Sequence, residues 1–325
     1  MTGAGHGTAL PLNPFHADFF VRPAEARLMR RPVTRLAAGG ASLPVTREAR
    51  LGRVPVPHAA GLHHDHCFLG TPELAPGGSL AALLRAAPGP ALHLRAVPED
   101  GCVHSALASV PGARVLSTRR RALLRRGATF EAHLGDALRG KKRKELRRQR
   151  TRLEESGALA EERFGGADLA AWTEGFLVLE SKGWKGEAGT AMAVRAEEAA
   201  FLREALAGAD AAGTLAMWRL TLDGEPIAQV VALKAGDGGL YTYKIAHDPA
   251  LARYSPGVLV MLTLTRDVLD GTTFAYADSC AAEGHPMIEH LWRDKRVLHD
   301  WLVPTNAAGR LLASAMGLAG KAARP

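Results

Sequence analysis

The spacing of apolar residues changes character several times along the chain. Through residue 60 there is no sustained period, and Pro11, Pro14, Pro23, Pro32, Pro44, Pro55 and Pro57 recur too closely for long helices. That composition predicts an extended, poorly ordered leader over 1–60, with short edge strands. From Leu69 the pattern becomes regular. Ser79 stands as an N-cap before Leu80, Leu83 and Leu84, and residues 91–97 alternate as a strand. A further helix–loop–strand alternation follows, so 61–135 reads as a small α/β unit. Leu134, Leu138, Leu146 and Leu153 then mark one narrow apolar stripe, which predicts a basic connecting helix over 136–160.

Residues 161–304 read as a second unit. Asp168 caps a helix carrying Leu169, Trp172, Phe176 and Leu179, and a second helix carries Val194, Leu202 and Leu206. After Gly213 the period switches to alternation. Strands 215–222 and 226–234 flank an Asp223-Gly224 hairpin turn, and a third strand begins at Tyr241. That strand opens the stretch around which the unit is organised. It passes through a charged loop, Ala246 to Ser255, to Gly257 and a helix that is apolar nearly all round. A strand over 273–279 bearing Asp278, a short helix and a last strand over 297–303 complete the pattern, and 305–325 is left as a C-terminal helix or tail.

Composition narrows the function classes. A hydrophobic fraction of 47% and a charged fraction of 23% describe an ordinary globular protein, and 325 residues favour two domains. No apolar run reaches membrane-spanning length and no secretory signal opens the chain, so the cytoplasm is the expected compartment. Cys67, Cys102 and Cys280 lack zinc-ribbon spacing. His63, His64, His66 and Cys67 enter an apparent strand where neighbours alternate in direction, which suits a polar strand entry better than a metal site. No metal is expected. The net charge of +8 is local: between Arg139 and Arg152 stand nine basic residues and one acid, an excess equal to that of the whole chain.

The candidate chemistry lies around residues 241–271. Strand, loop, glycine and buried helix form a turn in which free N–H groups at a helix start face an anion. Neither a Walker sequence nor G-x-G-x-x-G is present, so an NTP or dinucleotide site is not indicated. Asp278 at a strand end is the first candidate for general base, with His285 and Glu180 as alternates. Tyr243 and Lys244 point to opposite faces of a regular strand. Trp184 and Lys185, between two glycines, form a loop tip suited to a substrate, and Lys142, Arg143 and Arg147 form a basic wall for phosphates or an anionic substrate.

The segments GWKG (183–186), LDGEPIAQVVAL (222–233), YTYKIAHDPALARYSPGVLV (241–260) and YADSC (276–280), with the basic LRGKKRKELRRQRTRLEESG (138–157), resemble the CelD/BcsL-like branch of the GNAT acyltransferases, a branch related to the FemABX peptidyltransferases. The likeness covers about 65–303. It implies an α/β (α+β) fold of tandem GNAT-like halves, each a mixed, mostly antiparallel sheet flanked by helices. It implies transfer of an acyl group, acetyl first, from acyl-CoA to an amine or hydroxyl of a small-molecule or polysaccharide-precursor acceptor. Pyrophosphate would rest on Arg253, Tyr254, Ser255, Gly257 and Val258, and the pantetheine arm on Tyr243, Lys244, Ile245 and Ala246. Pro256 supplies no N–H where the family has a glycine step. Two alternatives remain open: aminoacyl transfer from tRNA as in FemABX relatives, and a non-catalytic module binding an anionic polymer or a partner through the basic helix.

Overall fold

A computed structural model describes residues 10–51, 55–182 and 192–322. In chain order the helices and strands begin with α1 (Asp18–Arg27), β1 (Thr34–Ala38), β2 (Ala41–Glu48), β3 (His58–Gly61), β4 (Glu73–Leu74), α2 (Leu80–Ala86), β5 (Ala91–Pro98), α3 (Cys102–Ala108) and β6 (Arg114–Arg125). There follow α4 (Phe130–Ala137), α5 (Gly140–Glu155), β7 (Leu159–Arg163), α6 (Leu169–Lys182) and α7 (Ala196–Ala211). The remainder is β8 (Leu215–Leu222), β9 (Glu225–Lys234), β10 (Gly239–His247), α8 (Pro256–Asp270), β11 (Tyr276–Asp278), α9 (Ile288–Leu291), β12 (Asp294–Pro304) and α10 (Ala307–Ala322).

These elements form two compact units, each discontinuous in sequence. One comprises Phe15–Glu25, Met29–Arg120 and the chain from Arg296 onward; the other comprises the stretch up to Pro14, Ala26–Leu28 and Arg121–Lys295. The chain passes between them inside β6 and again inside β12, not at the linkers near 60 and 136–160 that composition suggests.

In the 29–120 unit the strand order is β1-β2-β3-β5-β12, with β3 and β5 parallel and the other pairs antiparallel. Its core joins Leu43, Leu83, Leu92, Leu94, Leu107 and Val303, all fully buried. The expected leader is corrected here. Residues 10–51 contain α1, β1 and β2, and Phe15, Phe20, Leu43 and Val45 are buried. The prolines that argue against long helices are compatible with short elements: Pro44 sits within β2, paired with Arg35 of β1.

In the 121–295 unit the order is β6-β11-β10-β9-β8-β7, with only β10 and β11 parallel. Both units are thus mixed, mostly antiparallel sheets flanked by helices, the fold class that the resemblance implies. The central helix α8 presents Val260, Leu264 and Val268 to the core, at a spacing of four, and each is fully buried.

The basic stretch departs from the single expected helix. Leu138 is extended (φ −116°, ψ 131°), so α4 stops at Ala137 and α5 starts afresh at Gly140. Leu134 and Leu138 therefore belong to one side of a break, and Leu146 and Leu153 to the other.

Candidate active site

The site is built where β10 outruns its neighbour. β10 pairs with β11 only through Gly239, Leu240 and Tyr241, opposite Tyr276, Ala277 and Asp278; β11 then ends. β10 continues to His247 with β9 along its other edge. From Tyr243 onward, no strand among the described residues lies along the edge that had faced β11. Thr242 pins the fork: its Oγ1 donates to the Ser279 carbonyl at 2.6 Å. The chain leaves β11 through Cys280 at φ +48°, a left-handed residue that turns it away from β10.

A bulge sits at the same point. The β9–β10 register jumps between Thr242 and Lys244, leaving Tyr243 as the extra residue. Strict alternation fails there, and the expectation that Tyr243 and Lys244 face apart is corrected: the Lys244 ammonium lies 5.7 Å from the Tyr243 ring centroid. Tyr243 is buried, and its phenol is held well above its ordinary pKa by burial, then by the charges of Glu180 and Glu198. Tyr243, Lys244 and Glu180 are thereby gathered around one point of β10.

Asp278 is not an exposed base at a strand end. It is fully buried, and Arg121 of β6 holds it in a two-point ion pair, Nε to Oδ1 at 2.5 Å and Nη2 to Oδ2 at 2.8 Å. Its Oδ1 also accepts the Cys280 N–H at 3.0 Å. The reason is topological: β11 lies between β10 and β6, so its end is interior. Glu180 is likewise buried, and its Oε2 accepts the Met192 N–H at 2.9 Å. His285 differs from both. It is half-buried in the turn after β11, and its Nδ1 is shielded from solvent with no hydrogen-bond partner among the described residues. The half-buried ring thus keeps a nitrogen that no group among the described residues engages, and His285 stays a candidate general base.

Beyond His247 the chain enters a 3-10 turn, Pro249–Tyr254, capped by Asp248, whose carboxylate accepts from Ala250 at 2.9 Å and from Lys182 at 3.0 Å. Ser255 adopts a left-handed conformation (φ 53°, ψ 49°), and α8 begins at Pro256. Few N–H groups face outward at this helix start. Pro256 has none, and those of Val258 and Leu259 are bonded to the Ser255 carbonyl at 2.9 and 3.1 Å. Gly257 lies close to His247: a Cβ there would stand 3.0 Å from its Nδ1, so the ring would have to shift by a few tenths of an ångström. Arg253 is exposed and stacks on Tyr254 at 4.7 Å, while its carbonyl accepts from Gln149 of α5 at 3.0 Å.

Of the basic wall, Lys142 is exposed on α5, whereas Arg143 and Arg147 line a groove that includes no β10 residue. Trp184 and Lys185 lie outside the described residues. Sequence reasoning missed Arg121, Thr242 and His247, which are joined to the site by sheet pairing and packing. Of the three, only His247 had a local signal, its place within the charged loop Ala246 to Ser255. Among the described residues no group of three or more His, Cys, Asp or Glu side chains is placed to hold a metal ion.

Residues 140–285 match the family model described as an acetyltransferase (GNAT) domain. No curated protein matches the chain. Solved structures share its fold at low identity. A conserved protein of unknown function from Bacteroides thetaiotaomicron has a TM-score of 0.58 at 11% identity, covering 91% of this chain and 93% of that one. FemX has a TM-score of 0.55 at 10% identity, covering 91% and 93%. L-PGS from Bacillus licheniformis has a TM-score of 0.52 at 11% identity, covering 87% and 88%. The match places the likeness to a GNAT-type acetyltransferase domain over residues 140–285, the stretch that contains the forked strands β10 and β11.

Proposed function

We propose that the chain transfers an acyl group, acetyl first, from acyl-CoA to an amine or hydroxyl of a small-molecule or polysaccharide-precursor acceptor. The observation that carries this reading is the fork, where β10 runs on past the end of its parallel partner, beside a buried strand end. The pantetheine arm lies along that edge, and an N–H within Lys244, Ile245 and Ala246 polarises the thioester carbonyl. The acceptor's nitrogen or oxygen attacks the carbonyl carbon and gives its proton to His285. The tetrahedral intermediate collapses as the carbon–sulfur bond breaks, and the CoA thiolate leaves and takes up a proton. Asp278 positions the fork through Arg121 and does not itself take the proton. The phosphate end of the donor rests near Arg253, Tyr254, Ser255, Gly257 and Val258, aided by the positive end of the α8 dipole.

Calorimetry with acetyl-CoA and longer acyl-CoAs tests the reading. Binding is expected with at least one of them, and Gly257→Trp should abolish it, because an indole at that position displaces His247 and fills the helix start. Absence of heat with every acyl-CoA overturns it.

A second reading, aminoacyl transfer from tRNA, is favoured by the scarcity of free N–H groups at the α8 start and by the exposed cations of α5. Its signature is affinity for aminoacyl-tRNA that falls steeply with salt, which one CoA pyrophosphate cannot imitate.

A further inference from the structure

The break between α4 and α5 opens a groove on the side of α8 turned away from the sheet. Its cavity is about 180 Å³. Phe130, Leu134 and Leu138 from the α4 segment, Leu146 from α5, and Leu259 and Leu262 from α8 make it apolar. Its rim is cationic: Arg143, Arg147, Arg150 and Arg266, against the single carboxylate Glu131. Two of these arginines are engaged. Arg150 and Arg266 share Glu161, and Arg266 also stacks on Phe130 at 4.7 Å. Arg143 and Arg147 have no ion-pair partner among the described residues, although Arg143 lies across Gly135 of α4, where a Cβ would come within 3.2 Å of its Nη1. Outside the groove the same helix exposes Lys141, Lys142, Lys144, Arg148 and Arg152.

An apolar slot rimmed by unpaired guanidinium groups demands an occupant with a hydrocarbon part and an anionic part. The slot is smaller than the roughly 300–1,000 Å³ of pockets that enclose compact ligands. It is also too small for the side-chain row of an amphipathic helix. A section of one hydrocarbon chain fits. We propose that this groove and the exposed face of α5 dock on an anionic phospholipid surface, with a lipid phosphate on Arg143 and Arg147 and part of its acyl chain in the slot. The proposal is independent of the acyl-donor reading, since it requires no CoA.

Sedimentation with vesicles of phosphatidylcholine alone, or mixed with about one third phosphatidylglycerol, tests it. The full chain should bind the mixed vesicles only. Arg143→Gln with Arg147→Gln should weaken binding by about 25-fold, at about 5-fold per cation near an anionic surface. The Arg143→Lys/Arg147→Lys variant should retain most of it, which controls for folding. Leu134→Ser should remove the part of binding that survives about 0.5 M salt, where surface attraction is screened and chain insertion is not. No binding to mixed vesicles, equal binding by the double Gln variant, complete release by salt from the wild-type chain, or tighter binding to RNA than to vesicles would each overturn the proposal.

Discussion

Arg121 and Asp278 are each within a few per cent of complete burial, so neither charge has water to return to when the other is removed. Arg121→Met should cost about 3–5 kcal/mol, because it leaves the carboxylate uncompensated. The double change Arg121→Met/Asp278→Leu should recover most of that loss, since an apolar pair of similar volume replaces a desolvated ion pair. Urea unfolding followed by tryptophan fluorescence gives the cycle; a double variant no more stable than the single one contradicts the assignment. For activity, His285→Ala should lower turnover about 100-fold or more with donor affinity unchanged. The unusual character of Asp278 was legible from its place at a strand end. Its partner was not, because 157 residues separate them and no local pattern records a pairing across a sheet.

At the scale of elements, period and punctuation announced the three-strand meander, the buried helix after Gly257 and the Asp223-Gly224 turn. Asp223 (φ +52°) and Gly224 (φ +84°) both take the left-handed conformation that a two-residue hairpin of this kind requires. The bulge at Tyr243 and the break at Leu138 were hidden, since each inserts an irregularity without a proline or glycine at the irregular residue. Two glycines show how element context sets the sign of one substitution. Gly140 opens α5 with open space around a Cβ, so Gly140→Ala should stabilise by about 0.4–1 kcal/mol through the unfolded chain. Gly224→Ala should destabilise by about 1 kcal/mol, because alanine is strained at that φ. Thermal melts of the two variants should move in opposite directions.

Across the whole molecule, acid should act first on the 29–120 unit. Burial holds His16 at a pKa of about 3 and His93 at about 4, both below the ordinary value near 6.5. The unfolded chain therefore takes up protons that the folded unit refuses. Stability is full above about pH 6.5 and is lost as pH falls toward 4, at about 1.4 kcal/mol per pH unit for each histidine. Urea midpoints at pH 7 and pH 5 should differ accordingly, and His93→Gln should flatten the difference; equal midpoints would show that these imidazoles are not buried. Length and composition anticipated two units, yet their boundaries were out of reach. The N-terminal core residues Phe15, Phe20 and Leu43 stand singly among prolines, without a period to mark them.

The strand β12 has a consequence for synthesis. Opposite β5 it supplies Trp301 and Val303 to the core of the 29–120 unit, about 200 residues after β5 has left the ribosome. At about 5–20 residues per second, that unit waits about 10–40 s for its last strand, with the flank of β5 open. The 121–295 unit meanwhile has every strand it needs. Folding on the ribosome should therefore run against the order of translation, the later unit closing first, and a chain stopped before residue 296 should need a chaperone to stay soluble.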